Sequence, residues 1–425
     1  MNETNKNVLK YSYLLIVILL YFIGFFLREN IAGGAEADFL DLTWPLISAF
    51  KINFLDTLLN YGSFGEGNLP LFHILNAYFN PFNYSQFVFQ GSITAISFLN
   101  VVFFSQVIRE KYKLKKIDAL IYASIFLILP FFRSSAFWGI TENFGWLFLI
   151  LSIKYLNLYE SKNYKNIFFI IFLVCFFSSL ALYTRQYLVF FPIFVLIKNL
   201  IIKNYQFLKI SIFYYLIFSI PGFLFLFYLG NILKTDEGSI NLLLNYHNPK
   251  FILKNLIIFS SFVCFYFFPF EIVKFLKKRK IEKNNLLFFL SIIIILLIFN
   301  FFELFDYLKL IELGGGAPLK INFILFGDNL IFYIIFSALG IFFIYNYSKI
   351  SKTNLVLFFS TIIFCFPKYI LQEYFEPLLI ILLLSLMDHE KNFKEYLKTD
   401  KMMFICISYF LIYLISSFYF RYFLK

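Results

Sequence analysis

Charge is scarce in this 425-residue chain: Asp, Glu, Lys and Arg together make up 15% of it. That excludes an ordinary soluble domain, where about a quarter of residues are charged. Cysteine is scarce too. The four present, Cys175, Cys264, Cys365 and Cys406, all fall in apolar segments. Their spacing supports neither a disulfide framework nor a metal site. No internal repeat and no Pro/Gly/Ser-rich linker interrupts the chain. Transporters built from inverted repeats tend to carry paired broken helices in their two halves, and no such pairing is evident.

What the chain does have is apolar sequence, at 61% of residues with a mean hydropathy of +0.78. This composition predicts an all-α polytopic membrane protein. The abundance of Phe (66) and Tyr (30) fits an AT-rich coding sequence, so aromatic content alone marks no stacking site. Apolar runs fall at 11–27, 87–108, 117–132, 139–158, 166–182, 187–202, 209–230, 251–273, 286–302, 328–347, 354–368, 375–388 and 402–420, or roughly thirteen transmembrane helices. The first run has no small-residue cleavage site after it and reads as a retained helix. The expected organisation is a single membrane domain over 1–425.

Basic residues set the expected orientation. Arg109 to Lys116, Lys162/Lys165, Lys198/Lys203/Lys209, Lys274 with Lys277 to Lys280, and Lys349/Lys352 share one side if the N-terminus is cytoplasmic. They read as topology signals, not as a nucleic-acid surface. Arg421 and Lys425 end on the opposite side, against that rule. Loop 28–86, also on the opposite side, carries two basic and six acidic residues.

Within this loop, Gly33-Gly34-Ala35-Glu36-Ala37-Asp38-Phe39-Leu40-Asp41 sets three carboxylates just beyond the first apolar run. Acidic groups so close to a membrane helix are costly unless they face water or a partner, so they are candidates for chemistry at the membrane surface. The stretches 42–50 and 54–61 read as two short amphipathic helices lying in the interface. Further polar groups on the same side are His73, Arg133, Glu142, Arg185 with Gln186, Gly314 to Gly316 followed by Lys320, and Lys368 with Gln372. Arg185 is suited to bidentate phosphate binding, and consecutive glycines let backbone N–H groups close on an anion. The bland alternatives are interfacial snorkelling for Arg133 and Arg185, a packed polar side chain for His73, a flexible loop for the glycines, and a structural Glu142–Arg133 pair.

These motifs, in this order, resemble the GT-C superfamily of integral-membrane glycosyltransferases that use polyprenyl-phosphate sugars, over roughly residues 11–200 and a short piece near 368–385. The acidic stretch resembles that superfamily's first-loop Asp/Glu motif, with Glu-Ala-Asp in place of adjacent acids, so Glu36 and Asp38 both stand as the catalytic acid. Leu69-Pro70-Leu71-Phe72-His73-Ile74-Leu75 is similar to its Pro-containing entry to the second membrane region. Thr141-Glu142-Asn143-Phe144-Gly145 and Thr184-Arg185-Gln186 resemble the Thr-Glu and Arg-Gln motifs of the dolichyl-phosphate-glucose-dependent glucosyltransferases. Gln372 to Pro377 is similar to their C-terminal element, with Glu373 where Arg is usual. The resemblance implies a GT-C-like module over 11–230 and more variable helices over 231–425, with an outer loop at 303–327.

It also implies an inverting hexosyltransferase acting at a periplasmic or lumenal membrane face, in a bacterial inner membrane or the ER. The donor is a polyprenyl-phosphate sugar and the acceptor a glycan, lipid or protein, with no nucleic acid. Asp38 or Glu36 would be the base. Asp41 would fix the acceptor, or with Asp38 a Mg2+ or Mn2+ ion, although the sequence does not require one. Arg185 and Lys320 would bind the phosphate, with Arg133, Gln186, Lys368, His73, Glu142 and Gln372 around the substrates. Two rivals are a lipid-linked glycan flippase or transporter and an O-antigen-type polymerase. A flippase would place charges mid-span, where this chain has few; a polymerase carries its large outer loop late, whereas here the longest comes first.

Overall fold

The computed structural model describes residues 3–65, 68–162, 165–229, 249–277, 283–301, 316–327, 329–362 and 370–423. Among them there is helix and no strand, as expected where a bilayer leaves each backbone group to be satisfied within its own segment. Among the described residues, seven helices are long and apolar enough to cross a membrane, or eight if one bent pair is a single span. This is a helical membrane protein. Shorter apolar helices include Gln186–Ile201 and Leu286–Ile298, and also Gly316–Phe326, which lies within the stretch expected as the outer loop 303–327.

The chain forms two compact units, Met1–Ile240 with Ile407–Lys425, and Asn241–Cys406. In the first, α1 (Glu3–Phe26) leads into the long loop. There Ala35–Ala37 forms one helical turn and Asp38–Thr43 a wider, π-type turn that continues into α2 (Trp44–Ile52). The short α3 (Phe54–Leu59) follows, its first turn capped by the Asn53 side chain, which accepts from the Asp56 N–H at 3.2 Å. Next come α4 (Leu71–Tyr78) and α5 (Gln86–Tyr112). The expected interfacial pair at 42–50 and 54–61 thus corresponds to α2 and α3.

The expected span at 117–132 is broken. α6 (Lys116–Ala123) runs through a 3-10 stretch to Ile128 and meets α7 (Pro130–Trp138) at a bend of 71°. The cause is local. Pro130 forces its predecessor out of the helical region, and Leu129 is extended (φ −82°, ψ 125°). α8 (Glu142–Glu160), α9 (Ile167–Thr184), α10 (Phe190–Ile201) and α11 (Tyr205–Leu229) complete the helices before residue 230. α1 and α11 leave many apolar side chains outside the fold, including Leu15, Ile16, Leu216 and Leu224, as suits helices against lipid.

The second unit contains α12 (Pro249–Lys277), α13 (Lys283–Phe301), α14 (Gly316–Phe326), α15 (Ile331–Ile350) and α16 (Lys352–Thr361). α12 and α15 cross so closely that a Cβ on Gly340 would strike the backbone of Ser260. After the short helices α17 (Leu378–Ile381) and α18 (Phe393–Leu397), the last helix, α19 (Asp400–Phe423), joins the first unit from Ile407 onward.

Candidate functional site

The end of α1, the starts of α5 and α8 and the end of α9 define one end of the first unit. The acidic stretch lies there. Phe39 is fully buried, stacked on Phe89 at 6.1 Å and set 6.4 Å from the Trp138 ring. This anchor leaves Glu36, Asp38 and Asp41 exposed on the other side of the two turns. Asn30 reaches Glu36 Oε2 through its side-chain amide at 3.4 Å. The stretch is pinned from below by the Ala32 N–H donating to Ser134 Oγ (3.1 Å).

The last helix holds it as well. The Asn30 N–H donates to Tyr422 Oη at 3.2 Å. The Arg421 guanidinium lies against Gly33, with Nη1 3.4 Å from where a Cβ would stand. Gly33 has φ +94°, so both its conformation and this close approach favour glycine. A charge expected only as the tail of the chain is therefore beside the acidic loop.

Two Arg–Glu pairs occur at this end. Arg133 is 1% exposed. Its Nε donates to Glu29 Oε1 at 2.7 Å and its Nη2 pairs with Glu29 Oε2. Two further donors go to the carbonyls of Leu127 (2.9 Å) and Leu20 (3.2 Å). The rings of Tyr21 and Phe137 sit 5.5 and 5.2 Å from its guanidinium carbon. Glu142 pairs with Arg185, not with Arg133. Glu142 opens α8, and Arg185 stands in an extended conformation (φ −142°, ψ 110°) just past α9, over the Tyr187 ring at 5.7 Å. Gln186, half-buried, begins the 3-10 turn that follows.

His73 is fully buried, its Nδ1 3.2 Å from Tyr61 Oη. Tyr61 in turn packs edge-on to Phe225 at 5.6 Å. Phe225 is part of the wall of an apolar chamber of about 490 Å³ formed by α3, the start of α4, the end of α9 and α11, with Leu58, Ile74 and Tyr183 among the lining residues. Its size falls in the roughly 300–1,000 Å³ range of ligand clefts.

In the second unit, Gln372 is buried and hydrogen-bonded through both its amide nitrogen and its amide oxygen. Its Nε2 donates to Tyr266 Oη (2.6 Å) and its Oε1 accepts from the Ala317 N–H (2.6 Å). Tyr266 Oη donates to the buried Glu376 at 2.5 Å. Lys320 is half-buried one turn along α14 from Ala317. Gly316, at φ +62°, lies against Gln372; Gly314, Gly315 and Lys368 lie outside the described residues. Lys274, expected as a loop charge, is buried. It donates to Glu271 Oε1 (2.5 Å) and Tyr347 Oη (2.9 Å).

Among the described residues, no group of three or more His, Cys, Asp and Glu side chains converges as a metal cage. Asp38 and Asp41, the pair considered for a metal, supply two exposed carboxylates from one stretch. Glu29, Tyr61, Tyr183 and Arg421 are the site residues that sequence reasoning missed. Only Glu29 carried a signal, as a charge at the end of an apolar run. Comparison with protein-family models, curated proteins and solved structures finds no match for this chain.

Proposed function

We propose that the protein is a membrane glycosyltransferase that moves a sugar from a polyprenyl-phosphate donor to an acceptor hydroxyl at the acidic end of the first unit. In this reading the chain is a multi-pass protein of roughly thirteen spans, with that end on the non-cytoplasmic face. One observation carries the proposal: exposed carboxylates on a π-type turn share one end of a unit with an arginine suited to phosphate and with an apolar chamber. Such turns recur at functional sites.

The chemistry divides among these parts. Asp38 takes the proton from the acceptor hydroxyl as general base, with Glu36 the competing choice. The acceptor oxygen bonds to the anomeric carbon from the face opposite the phosphate, and the carbon–oxygen bond to phosphate breaks. The electron pair leaves on the polyprenyl phosphate, whose charge Arg185 stabilises, supported by Gln186 and by His73. Asp41 orients the acceptor. The chamber takes the first isoprenoid units, each buried methylene contributing about 0.8 kcal/mol. Arg133 is assigned to holding the rim, because Glu29 and two carbonyls occupy four of its five N–H donors. For Lys320, Lys368 and Gln372 as donor-binding groups, the support is the sequence pattern alone.

The test is a transfer assay on the purified chain in lipid nanodiscs with polyprenyl-phosphate sugars. Asp38→Asn should insert normally and release no polyprenyl phosphate. Wild-type turnover by that variant removes the base role. Translocation of the donor without bond cleavage identifies a flippase instead.

A further inference from the structure

The Arg185–Glu142 pair has an unusual feature. One Glu142 oxygen is on the guanidinium; the other, Oε2, is buried and has no hydrogen-bond partner. A buried carboxylate oxygen left unpaired bears an unmet desolvation cost. The side chains of Arg185 and Glu142 are 11% and 6% exposed, so the pair lies just below the surface. Arg185 is also held without Glu142. The Tyr187 ring lies beneath the guanidinium, and the Arg185 stem packs so closely on α8 that a Cβ at Gly145 would come within 3.3 Å of its Cγ.

Glu142 has a resting place when it lets go. It is the first residue of α8, where the free N–H groups of the helix start favour negative charge. Two residues before Arg185, Tyr183 forms part of the chamber wall.

Resting on the reading of Arg185 as the phosphate site, we propose that Glu142 is the specificity-determining residue of that site. It acts as an internal anion, filling the guanidinium fork until a ligand displaces it. A ligand carboxylate replaces Glu142 with its own chemical equal and gains nothing at the fork, so any chain burial is its whole gain. A phosphoester brings more acceptor oxygens and more charge to the same fork. If it carries an isoprenoid chain, the chamber adds apolar burial in the same event. The site therefore selects long-chain isoprenyl phosphates over carboxylates of equal length.

Equilibrium binding to the full chain in nanodiscs tests this, with geranylgeranyl phosphate and the C20 isoprenoid carboxylic acid as probes. Wild-type protein should bind the phosphate roughly tenfold tighter than the acid. Glu142→Gln should bind both ligands roughly tenfold tighter than wild type does, because the internal competitor is gone. Arg185→Ala should lose phosphate binding whether or not Glu142→Gln is present. If Glu142→Gln does not yield folded protein, Glu142→Asp keeps the charge and shortens the reach; it should bind the phosphate more tightly than wild type.

Weaker phosphate binding by either Glu142 variant overturns the proposal, since Glu142 would then be scaffolding for Arg185. Unchanged affinity of Glu142→Gln for either ligand also overturns it. The reading beneath it fails separately, by phosphate binding that persists in Arg185→Ala.

Discussion

The two arginine–glutamate pairs at the acidic end of the first unit are built from the same chemistry and are unlike in every other respect. In Arg133–Glu29 both carboxylate oxygens are matched, two main-chain carbonyls take further donors, and two aromatic rings close the sides. Four of the five guanidinium N–H donors are taken within the chain. In Arg185–Glu142 one carboxylate oxygen is unmatched and both side chains retain some exposure. Ion pairs taken out of water repay their desolvation only with complete hydrogen bonding. The complete pair is thus fit to fix the chain, here the exit of α1 into the acidic loop. The incomplete one is fit to exchange partners.

Removing one partner from the complete pair should give the largest effect. Arg133→Met strands the Glu29 carboxylate in a dry interior, at a cost of about 3–5 kcal/mol. The expected outcome is little folded protein by size exclusion, with partial recovery in the Arg133→Met/Glu29→Met double variant. A well-folded single variant would show that the pair is not the anchor. Next is Gly24→Ala, which adds a Cβ in the space held by Arg133 Nη2, Glu29 Oε2 and the Phe137 ring. Overpacking of this kind costs about 1–3 kcal/mol, read as a fall in Tm. Arg185→Met should cost less than Arg133→Met, about 1–2 kcal/mol, because the stranded Glu142 stays at a helix start near the surface. Equal losses of Tm for the two arginines would erase the distinction drawn between the pairs.

Much of this framework was legible in the sequence, and its limits have physical causes. The runs at 87–108 and 166–182 became Gln86–Tyr112 and Ile167–Thr184, because an apolar run of this length in lipid must satisfy its backbone as a helix. The run at 117–132 misled because its hydrophobicity masked Pro130, whose effect on Leu129 is steric. Arg133, Glu142 and Arg185 were recognisable as charged groups near an interface, yet neither their burial nor their partners were. Pairing depends on which helix ends adjoin, and sequence separation holds no record of that: Glu29 and Arg133 lie 104 residues apart. Tyr61 and Tyr183 looked like two of many tyrosines.

Tyr183 supplies the smallest of the expected effects and the sharpest separation of fork from wall. Its hydroxyl donates to the Phe218 carbonyl and accepts from the Gly222 N–H at 3.0 Å. Those two groups would bond to each other in an uninterrupted helix, so the tyrosine is inserted into the ladder of α11. It sits beside Pro221, which has no N–H to give, and helices commonly open where a proline or an inserted side chain interrupts the ladder. Pro221, Gly222 and Tyr183 all line the chamber. Tyr183→Phe removes the inserted hydroxyl and lets Gly222 return to Phe218, which limits the stability loss to about 0.5–1.5 kcal/mol. The wall moves as the helix closes. Affinity for a C20 isoprenyl phosphate should then fall by about threefold, while inorganic phosphate, which has no chain to lay against the wall, binds as before. Inorganic phosphate that weakens equally would mean that Tyr183 acts through Arg185, and that fork and wall are one element.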